Sequence, residues 1–153
     1  MASAAGRIAR SIAAGLCGSA AHTVLMALKA WAGWLPAFRP YDDLQALLGS
    51  LVGTAVPAVV AWALSYFNGA VVLGLLFGRI HASLPGRSGV AKGALFGVAV
   101  WCAMGLTFFP AIGKGLFAAQ TALGLQPALF SLAMVLTYSV TLGVAYARLV
   151  PRA

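Results

Sequence analysis

The fold is decided by one stretch of sequence, 57-PAVVAWALSYFNGAVVLGLLFGR-79, in which no charged side chain occurs before Arg79. The hydrocarbon core of a bilayer is about 30 Å thick, and about 20 apolar residues of helix are needed to cross it. Pro57 stands at the start of the stretch, where a helix tolerates proline because the first-turn N–H groups have no partner inside the helix. The stretch is therefore predicted to be one transmembrane helix.

Similar apolar stretches fill the rest of the chain. Of its 153 residues, 62% are hydrophobic and 8% are charged, whereas a soluble domain has about a quarter of its residues charged. Four spans of membrane length use most of the chain and leave no room for a separate soluble domain. We therefore predict a single transmembrane domain over residues 1–153, an all-α four-helix bundle with up-down-up-down topology. The predicted spans are about 8–32, 57–79, 89–109 and 127–150.

A polar patch separates the first two spans. Trp31 and Trp34 have amphipathic rings that favour the membrane–water interface, and Asp42 stands three residues before Gln45, the spacing of a capping box. Leucines then recur at helical spacing after Asp43. The pattern predicts a short amphipathic helix on the membrane surface. It also explains the two adjacent aspartates as residues of a helix start rather than of a catalytic pair.

The net charge of +8 is interpreted through the positions of the charges. Basic residues stand at the ends of the predicted spans, where they orient a membrane protein, so nucleic-acid binding is not expected. The positive-inside rule places both termini and the loop after the second span in the cytoplasm, and the predicted location is the bacterial inner membrane. The surface-helix side has Lys29, Arg39 and Lys114, and the opposite side has Arg7, Arg10, Arg79, Arg87, Lys92, Arg148 and Arg152.

The second and fourth spans resemble each other, which suggests a tandem duplication of helical hairpins. Pro57 and Pro127 open the two spans, 70 residues apart, and Gly74 and Gly143 recur 69 residues apart near their ends. The alternative is a chance match between helices that are rich in alanine and glycine. The sequence does not decide between these interpretations.

Small residues recur at four-residue intervals in the predicted spans. Such intervals let helix backbones approach closely in lipid. They indicate packing within the bundle, and they leave open a surplus face for another subunit or for self-association. The residues predicted to pack helices together are Gly18, Gly74, Gly78, Gly93, Gly97 and Gly143.

A few polar side chains stand inside the spans, and His22, Asn68 and Thr137 form the candidate intramembrane polar site. An ionisable residue within a membrane is costly and indicates function by default. The structural alternative is a neutral imidazole that bonds to a neighbour such as Asn68 or Thr137. No intramembrane carboxylate accompanies these residues, so ion conduction is not favoured.

No residue is predicted to be catalytic, to bind a cofactor or to ligate a metal. The sequence contains no nucleophile elbow, phosphate-binding loop or zinc-protease motif. Cys17 and Cys102 lie in separate apolar spans and are interpreted as packing residues. His22 and His81 differ in depth by about half a membrane at a rise of 1.5 Å per residue, which argues against haem ligation by this pair. The chain is not expected to be an enzyme.

Short motifs along nearly the whole chain are Ala14-Gly15-Leu16 through His22 to Lys29, Leu35-Pro36, Asp42-Asp43-Leu44, Leu84-Pro85-Gly86, Lys92-Gly93-Ala94-Leu95-Phe96-Gly97, Phe109-Pro110 and Gly115-Leu116-Phe117. Together they resemble a domain-of-unknown-function family of small four-helix bacterial inner-membrane proteins. The resemblance implies the fold and the location and brings no assigned activity. Many relatives have a methionine- or threonine-rich patch at His22, so the resemblance does not make this residue a family ligand.

Two functional classes remain. The first is a non-enzymatic accessory or assembly subunit of a larger membrane complex, for which a Gly- and Ala-rich groove facing lipid is the expected sign. The second is a small oligomeric transporter or channel, for which the expected sign is a polar cavity that reaches His22 and Asn68. We favour the accessory class, with the lipid bilayer and either other membrane subunits or a second copy of the chain as partners.

Overall fold

A computed structural model describes residues 4–150 of the chain. Four of its helices are long and apolar enough to cross a membrane, and no β-strand occurs among the described residues. The predicted all-α bundle is therefore confirmed, while Arg152 lies outside the described residues. The helices are α1 (Ala4–Trp31), α2 (Pro40–Val52), α3 (Ala58–Ile80), α4 (Gly89–Ala111) and α5 (Gln126–Leu149).

The helix boundaries differ from the predicted ones at two places. Helix α1 begins at Ala4, earlier than predicted, because the alanines before Arg7 favour helix. Helix α4 is interrupted at Thr107 and resumes as the short helix Phe108–Ala111. The interruption lies near the C-terminal end of α4, which is the end nearer to α2.

The predicted surface helix exists as α2, but the predicted capping box is wrong. Pro40 occupies the first helical turn, so the helix begins before Asp42, and Arg39 at the N-cap makes no side-chain capping bond. Asp42 instead forms an ion pair with Arg39, with 2.7 Å between Nε and Oδ2. The amide of Gln45 donates to the Val56 carbonyl at 2.6 Å. Proline thus fixes the helix start, and it places Asp42 inside the first turn, where a negative charge suits the helix dipole.

Glycines bring the helices together in two antiparallel hairpins, α1 with α3 and α4 with α5. A Cβ at Gly15 would lie 2.7 Å from the Ala70 carbonyl, and a Cβ at Gly97 would lie 2.9 Å from the Cβ of Ser139. These two contacts fall at matching positions in the two hairpins. Gly97 follows Gly15 by 82 residues in the first helices, and Ser139 follows Ala70 by 69 residues in the second helices. A Cβ would lie under 3.0 Å from an atom of another helix at every one of the predicted packing positions, Gly18, Gly74, Gly78, Gly93, Gly97 and Gly143.

The middle of α3 is a π-helical turn, Asn68–Leu73, between two α-helical segments. A π-helical turn closes its hydrogen bonds one residue later than an α-helix and so accommodates one extra residue. Between Pro57 and Gly74, α3 has one residue more than α5 has between Pro127 and Gly143. The π-helical turn lies inside this interval, which supports the interpretation of α3 and α5 as duplicated helices.

Candidate functional site

Aromatic side chains fill the bundle near the end at which both termini lie, which we call the terminal end. The ring of Phe77 in α3 meets the ring of Phe96 in α4 with centroids 5.2 Å apart, and it meets Tyr146 in α5 at 5.6 Å. Both contacts are edge-to-face, the arrangement that aromatic rings favour. Phe77 and Leu142 are fully buried. This packed cluster closes the terminal end of the bundle.

Most backbone contacts of α3 are with α1, and most of those of α4 are with α5. A cleft of about 620 Å³ lies between α3 and α4, and residues of α1, α2 and α5 also line it. This volume is within the range of small-molecule binding sites. The apolar walls of the cleft, which we call the α3–α4 cleft, include Leu64, Leu73, Val100, Met104 and Met134.

The described polar side chains of the cleft carry no permanent charge. No Asp, Glu, Lys or Arg side chain from residues 4–150 lines it. A charged ligand would therefore lose its hydration without gaining an opposite charge. The polar side chains in the lining are Ser19, His22, Tyr41, Ser65, Asn68, Thr107, Ser131 and Tyr138.

Tyr41 of α2 covers one end of the cleft. Its hydroxyl bonds to the Ser65 hydroxyl at 2.9 Å and lies 3.5 Å from Nδ1 of His22. Its ring stacks on Trp62 with centroids 4.1 Å apart. Burial raises the pKa of the Tyr41 phenol, so the hydroxyl stays neutral at physiological pH. Tyr41 therefore connects the surface helix to both α1 and α3.

The histidine partner proposed from sequence is not the one in the structure. His22 approaches Tyr41, whereas the sequence interpretation offered Asn68 or Thr137 as its neighbour. His22 and Asn68 both line the α3–α4 cleft. Thr137 does not line it, and its hydroxyl donates to the Ala133 carbonyl of its own helix at 2.8 Å. The structure therefore brings together two of the three candidate residues.

Asn68 stands at the start of the π-helical turn and is exposed toward the cleft. Its side-chain amide makes no hydrogen bond to another described residue. Most of the other polar groups in the lining are already bonded. Tyr138 donates to the Gly69 carbonyl at 2.6 Å, and Ser131 accepts a bond from Trp101 at 3.0 Å. Asn68 is thus available to bind a ligand.

A buried lysine closes the bundle on the α2 side of the cleft. Lys29 is 6% exposed, and its ammonium donates to the Phe38 carbonyl at 2.7 Å. The ammonium also lies about 6 Å from the ring centroids of Phe38 and Phe130, a distance at which cation–π attraction operates. From the sequence, Lys29 is predicted only to be one of the basic residues that orient the protein in the membrane. Nothing in its spacing from Phe38 indicated this contact.

The chain offers few groups for metal or redox chemistry. Within residues 4–150, no three His, Cys, Asp or Glu side chains come together as ligands for a metal ion. Cys17 and Cys102 are separate free thiols, and Cys17 is exposed on the outside of α1.

Comparison with protein families gives one match. The family described as "Family of unknown function (DUF6789)" matches residues 5–153, which confirms the resemblance to a domain-of-unknown-function family. No curated protein matches the chain, and no solved structure does. Because the matched region is nearly the whole chain, the protein belongs to the DUF6789 family.

Proposed function

We propose that the protein is a non-enzymatic accessory subunit of a larger complex in the bacterial inner membrane, and that it holds a small membrane-soluble ligand in the α3–α4 cleft. One observation carries the proposal. The cleft lies between α3 and α4, with Tyr41 of α2 at one end and the contact between Phe77 and Phe96 beyond the other end. A ligand would enter and leave through the gap between α3 and α4, which suits a protein that holds a ligand for a neighbouring subunit.

The packing of the small residues argues against a glycine-rich surface as the part of the protein that carries this function. The accessory class was expected to offer a Gly- and Ala-rich groove, but glycines such as Gly93 and Gly143 already face each other inside the bundle. A partner therefore has no glycine stripe at these positions to pack against. This supports the α3–α4 cleft as the part of the protein that carries the proposed function.

A small oligomeric transporter is the second candidate. Two observations favour it, the presence of both His22 and Asn68 in the cleft and the matching of the two hairpins, since internal repeats are common in transporters. Transport through this chain would require Phe77 and Phe96 to separate, because their contact closes the cleft.

The same proposal includes an orientation with both termini in the cytoplasm. The positive-inside rule supports it, because basic residues gather at the terminal end. One of them also has a structural role there. Lys92 donates from Nζ to the His81 carbonyl at 2.6 Å and so ties the loop between α3 and α4 to the start of α4.

Extraction from native membranes with an amphipathic polymer, followed by sizing and mass spectrometry, tests the accessory function. The proposal predicts co-migration of the protein with a defined larger complex. Ala103→Trp places a large ring in the cleft and is expected to reduce this co-migration. The matched control is Ala63→Trp, because Ala63 is exposed on α3 but does not line the cleft. A homogeneous homo-oligomer without other subunits would instead favour the transporter.

A further inference from the structure

We propose that the α3–α4 cleft binds an uncharged lipid whose headgroup has a carbonyl oxygen, and that the side-chain amide of Asn68 donates a hydrogen bond to this oxygen. The inference rests on the proposed function, because it names the chemical class of the ligand that the cleft holds.

The depth of Asn68 in the membrane is the first argument. Asn68 is near the middle of α3, which runs from Ala58 to Ile80, so it lies about 15 Å from one end and about 18 Å from the other at 1.5 Å per residue. The transfer of an amide from water into hydrocarbon without a hydrogen-bond partner is strongly unfavourable. The Asn68 amide has no bond to another described residue and faces the cleft. A ligand that accepts a hydrogen bond at this depth removes the cost.

The charge of the cleft is the second argument. No Asp, Glu, Lys or Arg among the described residues lines it, and the charged groups near its α2 end are already engaged. Lys29 donates to the Phe38 carbonyl, and the ion pairs Arg39–Asp42 and Lys114–Asp43 lie at the α2 end. A phosphate headgroup would have to move about 15 Å into hydrocarbon without a counter-charge. An uncharged carbonyl group does not meet this barrier.

The free hydrogen-bonding groups are the third argument. The hydroxyls of Tyr41 and Ser65 bond to each other, and the Tyr138 hydroxyl donates to a backbone carbonyl. Asn68 keeps both amide N–H groups and its carbonyl oxygen unbonded, and the two N–H groups match an acceptor on the ligand. The π-helical turn that begins at Asn68 agrees with a binding role, because such turns occur often at functional sites.

The size of the cleft favours a lipid over the helix of a partner protein. A helical segment 15 Å long and about 10 Å across has a volume of roughly 1200 Å³. The cleft has about 620 Å³, about half of that volume. The gap between α3 and α4 leaves an exit toward the bilayer for the tail of a lipid, as the exposure of Leu64 and Phe67 indicates.

Native mass spectrometry of the delipidated, purified protein tests the inference. The probes are a short-chain lipid quinone, whose uncharged headgroup has ring carbonyls, and the pair dioleoylglycerol and dioleoylphosphatidylglycerol, which have the same ester carbonyls and differ in the charge of the headgroup. We expect at least one neutral probe to bind about tenfold more tightly than the phospholipid. Asn68→Leu is expected to weaken this binding about five- to tenfold, the effect of about one hydrogen bond.

Thr137→Val is the matched control. Thr137 does not line the cleft, and its hydroxyl donates to the Ala133 carbonyl at 2.8 Å, so its loss should change binding less than twofold. Asn68→Leu should keep or raise the thermal stability, because it removes an unpaired amide from an apolar span. Weaker binding together with unchanged folding therefore assigns the loss to the ligand contact.

Equal binding of the phospholipid and the neutral probes would overturn the inference, and so would unchanged neutral-lipid binding in Asn68→Leu. Ala103→Trp separates these results from a failure of the proposed function. If this variant still abolishes phospholipid binding, the ligand class is wrong and the cleft remains the binding element. If it changes the binding of no probe, both the ligand class and the role of the cleft are wrong. The preferred neutral probe identifies the headgroup.

Discussion

The hydroxyl of Tyr138 in α5 donates a 2.6 Å hydrogen bond to the carbonyl of Gly69 in the π-helical turn of α3. The bond connects the second helices of the two hairpins across the bundle. The ring of Tyr138 fits beside Gly18 of α1, where a Cβ would lie 2.8 Å from it. One tyrosine thus fixes three helices behind the α3–α4 cleft.

Tyr138→Phe is expected to lower the free energy of unfolding by about 1 kcal/mol, because the ring stays and one hydrogen bond to the π-helical turn is lost. Reversible unfolding in mixed detergent micelles measures the change. Thr137→Val is the adjacent control, because its hydroxyl bonds within its own helix, and it should change stability by less than about 0.5 kcal/mol. Equal stability of Tyr138→Phe and the native protein would show that the bond contributes nothing.

Gly93→Ala is expected to destabilise the hairpin of α4 and α5 by about 1–3 kcal/mol. The added Cβ would meet the backbone carbonyl of Ser139, and backbone cannot rotate away as a side chain can. Unfolding in the same micelles gives the value. Val98→Ala, at an exposed position on the same helix, is expected to have a much smaller effect. A neutral Gly93→Ala would mean that α4 and α5 do not approach this closely.

Acidic pH is expected to destabilise the terminal end through His81. Burial, and then the charge of Lys92, lower the pKa of this histidine below its usual value of about 6.5. The unfolded chain therefore binds a proton that the folded chain does not, so stability is complete above about pH 6.5 and falls as the pH decreases below it.

Thermal unfolding between pH 7.5 and pH 5 measures this effect as the difference between the native protein and His81→Phe. The replacement keeps an aromatic ring against Phe77 and Tyr146 but cannot be protonated. We expect the native protein to lose more stability than the variant as the pH falls. Parallel curves would contradict the assignment to His81.

The proposed orientation is tested by cysteine labelling in a Cys17→Ala, Cys102→Ala background. Ser83→Cys places a thiol in the loop between α3 and α4, and Ser50→Cys places one on α2, both at exposed positions. An impermeant maleimide added to intact cells should label Ser50→Cys only. Labelling of Ser83→Cys before the membrane is permeabilised would reverse the topology.

The spans could be predicted from the sequence because their signals are local. Each of these signals can be recognised from neighbouring residues alone. They are the uncharged stretches of membrane length, Pro57 and Pro127 at helix starts, and the basic residues after the spans. The glycine intervals also indicated where helices approach. Local patterns failed at α2, because Pro40 sets the helix start before the aspartates.

The cleft could not be predicted, because it depends on contacts between distant residues. Tyr41 looks like any interfacial aromatic residue, and only the folded chain places it beside His22 and Ser65. The π-helical turn has no sequence signal apart from the one-residue change of interval between α3 and α5. Thr137 looked equivalent to Asn68 by depth, but the face of α5 on which it stands is turned away from the cleft.

The central claim is that the α3–α4 cleft is the binding element of this protein. Mass spectrometry of complexes extracted without detergent tests it most directly, with the native protein, Ala103→Trp and Ala63→Trp compared side by side. We predict a bound small molecule on the native protein and on Ala63→Trp, and its loss from Ala103→Trp although that variant still folds. The same bound mass on all three proteins, or on none of them, would contradict the claim.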